Sequence, residues 1–178
     1  MPDDPTRLDT PSPTSVGHGC RWYIALQSSE TGLNRRVDSL PSGEDKDTAV
    51  RALGQVRLQK LNLERWLGLP PSSQAAQVAV RLQKLQELET QVTTAAKEIS
   101  AAYSPESMSI QTLRPLIARC HKTLREVDFF LTSWRTNPQG VASLRAPLVA
   151  LVKVLEPHMQ RLRTEAREAQ QRKTAAHE

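Results

Sequence analysis

The sequence predicts an all-α fold: an up-down-up-down four-helix bundle preceded by a disordered N-terminal arm. Three observations predict it. Aromatic residues make up only 4% of the 178 residues, so a core must be built from Leu, Val, Ala and Ile, the side chains of helical cores. With 7 glycines, the chain is short of the tight-turn residues that β-rich folds need. From about residue 45, apolar residues recur at three- and four-residue steps in four segments separated by proline-marked breaks.

The arm, residues 1–44, is read from composition. Residues 1–19 and 27–48 are rich in Pro, Ser, Thr, Asp and Gly and show little apolar periodicity. Such segments bury too little apolar surface to offset the entropy of ordering. Between them lies CRWYIAL, Cys20–Leu26, an apolar island too short to fold alone. It has two readings: a fifth short element docked on the bundle, or a linear motif (Trp22, Tyr23, Ile24, Leu26) that another protein captures.

The bundle is assigned to residues 45–165. Its first helix runs from about Asp45 to Leu67 on Val50, Leu53, Val56, Leu63 and Leu67, and Gly68 followed by Pro70 and Pro71 stops it. Gly54 lies inside it and weakens it by about 1 kcal/mol relative to Ala. The second starts after Ser72 or Ser73 and carries Val78, Leu82, Leu85, Val92, Ala96, Ile99 and Tyr103. Ser104-Pro105-Glu106 reads as the next start, capped by Ser104; the alternative is a start near Thr112 with Pro115 in the first turn. Leu116, Cys120, Leu124, Val127, Leu131 and Trp134 follow, and Asn137-Pro138-Gln139-Gly140 ends this third helix. The fourth carries Leu144, Leu148, Leu151, Leu155, Met159 and Leu162, with Ser143 as its cap, Pro147 in its first turn and a kink expected at Pro157. Residues 166–178 read as a solvated, fraying helical extension.

VRLQKL occurs twice, at Val56–Leu61 and Val80–Leu85. The flanks diverge at once, so we read two helices built to one amphipathic recipe, each turning Val and one Leu inward and Arg, Gln and Lys outward.

Charge and cysteines narrow the function classes. The net +5 is uneven: residues 1–48 hold five Lys/Arg against eight Asp/Glu, and residues 49–178 hold nineteen against eleven. No apolar run approaches the roughly 20 residues that span a bilayer, and MPDDPTRLD is acidic where a secretory signal starts basic. The expectation is an intracellular protein, cytoplasmic or nuclear, with Cys20 and Cys120 both reduced. His18-Gly19-Cys20 and Cys120-His121 lack the spacer that turns two ligands onto one metal, and no Glu-x-x-His, phosphate-binding glycine loop or nucleophile elbow occurs. Cys120 and His121 are neighbours on a helix and point about 100° apart, so they do not form a nucleophile–base pair. We therefore expect no enzyme activity, no metal and no cofactor.

The remaining signals concern partners. Phe129, Phe130, Leu131 and Trp134 cannot all share one helical stripe, so at least one ring sits at an edge and offers a contact. Arg161, Arg163, Arg167, Arg172 and Lys173 make a basic stretch interrupted by Glu165 and Glu168, which is less uniform than a nucleic-acid-binding helix. The expected function is a non-enzymatic protein–protein interaction module: a helical adaptor, scaffold or subunit of a larger complex. Its partners are other proteins, helical ones among them, and homo- and hetero-oligomers both stay open. Nucleic acid bound to the basic body is an alternative. LREVDFFL…NPQGVASLRAPLVALVKVLEPHM also resembles the last two helices of BAG domains, through apolar spacing over some forty residues. That resemblance implies a regulator of an ATP-driven heat-shock chaperone. Of the basic and Gln residues such a domain presents, only Arg145 has a match. The long helices and Trp66 resemble spectrin-type repeats in the same general way. Neither likeness assigns the chain to a family.

Overall fold

The computed structural model describes residues 13–71, 73–133 and 138–177. Among them the chain is all-helical, as the sequence predicts. The helices are α1 (Val16–Ser39), α2 (Glu44–Leu67), α3 (Ala75–Ala102), α4 (Ile110–Thr132), the short α5 (Gln139–Ser143) and α6 (Ala146–Ala176). Expectations that fell on residues 1–12, Ser72, Trp134 and Asn137 lie outside the described residues.

The arm is the first correction. Residues 16–39, expected to be disordered around a short motif, form the 24-residue helix α1. Ser15 caps it, its Oγ accepting from the His18 N–H at 3.0 Å. Val16, Cys20, Tyr23 and Leu26 then recur on one face and are buried. Five long helices replace the expected four.

A helical bundle fits the described residues, and by its contacts the chain divides into two compact units, Met1–Glu87 with Thr136–Ser143 and Leu88–Arg135 with Leu144–Glu178. In the first, α1 packs against α2, with α5 against both. The core there holds Val16, Cys20, Tyr23, Leu26, Ala49, Leu53, Leu63, Leu67, Val78, Leu82, Leu85 and Val141. In the second, α4 packs against α6 over Leu88, Val92, Ala95, Ile99, Leu113, Cys120, Leu124, Val127, Leu144, Leu148, Leu155 and Met159. α3 supplies residues to both cores.

Local chemistry sets most helix ends. Gly68 closes α2 in the left-handed conformation (φ 67°), and the Leu69 N–H reaches back to the Glu64 carbonyl at 2.8 Å. The expected start at Ser104 is not used: Glu106 lies in a turn, and Ser109 caps α4 instead in a reciprocal box with Thr112. Pro115 therefore lies just inside α4 and withholds one backbone donor. Pro147 falls in the first turn of α6 as expected, although Arg145 rather than Ser143 is the cap. α6 continues through Pro157 to Ala176.

The repeated hexapeptide is used in two different ways, contrary to the common recipe expected of it. In α2, Val56 is half-buried while Leu58 and Leu61 are 38% and 41% exposed. In α3 the phase is reversed: Val80 is 67% exposed and Leu82 and Leu85 are buried. The surrounding stripe, and not the hexapeptide, decides which side faces inward.

Candidate functional site

In the first unit, the residues of the apolar island are turned mostly inward. Tyr23 is fully buried and Leu26 is 7% exposed, so neither is open to a partner in this fold; Trp22 is half-buried and Ile24 is 44% exposed. The Tyr23 hydroxyl donates to Glu64 Oε1 at 2.9 Å. Lys60 Nζ lies 5.7 Å from the Tyr23 ring centroid and pairs with Glu30 Oε2 at 2.7 Å. Arg57 reaches Glu30 and Asn34 at 3.4 and 3.1 Å. The network ties α1 to α2, and of the two readings of CRWYIAL the docked one describes this geometry.

Trp66 closes the same unit. A methyl group added at Gly19 would lie 3.0 Å from its Cζ3, and one at Gly140 would lie 2.6 Å from the same atom. The ring thus fits a slot between α1 and α5, where a side chain at Gly140 would force a shift and one at Gly19 would be a tight contact.

Burial first, then the hydrogen bond to the Glu64 carboxylate, holds the Tyr23 phenol far above its ordinary pKa. An unfolded tyrosine releases its proton near pH 10, whereas the folded one keeps it. The stability this provides is complete below about pH 10 and is lost as pH rises beyond it. Denaturation from about pH 9 to about pH 11 should therefore show a steeper loss in the wild type than in Tyr23→Phe. Parallel slopes would contradict this role. Glu30 is shifted the other way, held below the usual carboxylate range chiefly by the Lys60 hydrogen bond.

The second unit carries a cleft of about 720 Å³ between α4 and α6. Arg114, Ile117 and Ala118 line it from α4, and Val152, Lys153, Glu156, Pro157, Met159, Gln160 and Arg163 line it from α6. One helical face of each element supplies these groups, at three- and four-residue spacings. Pro157 cannot donate to the Lys153 carbonyl, so that acceptor on the wall lacks its intrahelical donor. Three cations border an apolar floor. The one acid, Glu156, is engaged by His121 Nε2 at 2.8 Å. Tyr103 Oη and His158 Nδ1, 2.8 Å apart, brace α3 against α6, and Arg119 pairs with Glu98.

The other expected contact residues are dispersed. Phe129 is 78% exposed near the end of α4, Phe130 is half-buried, and Trp134 lies outside the described residues. Arg161, Arg163 and Arg167 are exposed on α6, and only Arg163 belongs to the cleft. Arg145, the residue matching the BAG pattern, is held by Asp128 at 2.8 Å. Both cysteines are buried, and burial raises the Cys120 thiol above its ordinary pKa, against a smaller opposing pull from Arg119. Sequence reading missed Arg114, Ile117, Val152 and Lys153, which flank the core stripes and become neighbours only when α4 meets α6.

Among the described residues, no helix is long and apolar enough to cross a membrane. Compared with known proteins, the chain matches no family model, no curated protein and no solved structure, so a functional reading rests on the residues described above.

Proposed function

We propose that the chain is a non-enzymatic protein-interaction module, an adaptor or subunit whose α4–α6 cleft receives an acidic amphipathic helix of another protein. The observation that carries this is the cleft itself: an apolar floor of Ile117, Val152 and Met159 bordered by Arg114, Lys153 and Arg163. A helix with an apolar stripe fits such a floor, and carboxylates flanking that stripe complement its rim. Phe129 and the 50%-exposed Val154 are on the same two helices, outside the cleft lining. The mixed charge of the C-terminal stretch, with Arg172 beside Glu168 at 4.0 Å, gives nucleic acid a weaker footing.

The test is capture by the intact chain after nuclease treatment, set beside a triple charge reversal, Arg114→Glu with Lys153→Glu and Arg163→Glu. Lys97→Glu, at an exposed position of α3, is the control. The reversal should abolish capture of partners whose bound segment is acidic, and the control should retain it. Capture that survives the reversal, or that vanishes with nuclease alone, overturns the proposal.

A further inference from the structure

Among the described residues, α2 carries a second apolar face that is left largely exposed. Its core face is Ala49, Leu53, Leu63 and Leu67, all buried. Val50, Gly54, Leu58 and Leu61 follow one another at steps of four, four and three on another side, where the three larger residues are 48%, 38% and 41% exposed. Asp47 extends this stripe at one end and Arg65 at the other, both exposed. Their neighbours are already engaged, Arg57 with Glu30 and Glu64 with Tyr23. Gly54 lies at the middle of the stripe. Among the described residues, a methyl group there would meet nothing within 4 Å, so their packing does not call for a glycine in mid-helix.

We infer that this face pairs with the same face of a second copy, antiparallel and about a two-fold axis beside Val56. In an antiparallel pair the facing residue numbers have a constant sum, and one register satisfies the whole stripe. Asp47 then faces Arg65 of the second copy at both ends, Gly54 faces Leu58 twice, and Val50 lies beside Leu61. The missing side chain at Gly54 is the space that Leu58 of the second copy fills, and the two helices approach more closely there. The pairing is isologous, so each contact is made twice and the assembly closes at two. The stripe is about 27 Å long, which places the contact at the small end of specific interfaces. The dimer is a reversible one that forms with rising concentration.

Sedimentation velocity of the full chain over a concentration series tests this. The wild type should shift from monomer to dimer. Leu58→Glu, at a position already open to solvent, should remain monomeric with unchanged helicity. Asp47→Arg alone and Arg65→Asp alone should each weaken association by roughly tenfold or more, and the two together should restore it. Gly54→Leu should also weaken it while leaving the monomer folded. A wild type that stays monomeric throughout overturns the inference. So does a dimer indifferent to Leu58→Glu, or a charge-swapped double variant no better than its parents.

Discussion

Tyr23→Ala should cost the first unit about 3–5 kcal/mol, the range for removing a large buried ring. Against a total stability of about 5–15 kcal/mol for a domain, that is a major loss. The ring is fully buried, its hydroxyl holds Glu64, and the Lys60 ammonium lies near its face. Removing it leaves a cavity between α1 and α2 and strands Glu64 and the Lys60–Glu30 pair around the gap. Each unit contains one buried cysteine, Cys20 in the first and Cys120 in the second, which gives a readout for each. In Tyr23→Ala, Cys20 should react with a thiol reagent at lower denaturant than in the wild type, while Cys120 keeps its protection. Unaltered protection of Cys20 would mean that the Tyr23 ring does not hold α1 in the folded unit.

Leu155→Ala is the reciprocal case. Leu155 is fully buried on α6 within the second unit. Truncating it should cost about 2–5 kcal/mol, the spread reflecting how far the site can collapse. Here Cys120 should become reactive at lower denaturant and Cys20 should not. If both cysteines lose protection together in either variant, the two units unfold as one cooperative body and their separate description fails.

The helical class was legible because its signals are local. Gly68 with Pro70 marks one end, and three- to four-residue apolar spacing marks the faces of α2, α3, α4 and α6. α1 was not recognised because Gly17, Gly19, Gly32, Ser28 and Ser29 read as loop residues, although the spacing Val16, Cys20, Tyr23, Leu26 was present. Glu30 further on in that helix breaks the apolar pattern in sequence, and Lys60 and Arg57 of α2 engage it in the fold. That compensation is tertiary and cannot be read from one helix. The division into units left a trace that composition did not reveal. Buried positions on α3 step by four and three from Val78 to Leu85, by three again to Leu88, and then resume four and three to Ile99. Two successive steps of three shift the buried face around the helix between the two cores. The cleft was least legible, since Arg114 and Lys153 are ordinary solvent-facing cations in sequence and acquire meaning only from the pairing of α4 with α6.

The most direct test of the interaction reading is site-specific photo-crosslinking in the intact chain, with a photoreactive residue at Ala118 on the cleft and, as comparison, at the exposed Lys97 of α3. The account predicts a discrete crosslinked protein from Ala118, through a segment that is acidic and apolar on one face, and none from Lys97. No crosslink at Ala118, or the same products from both positions, would contradict it.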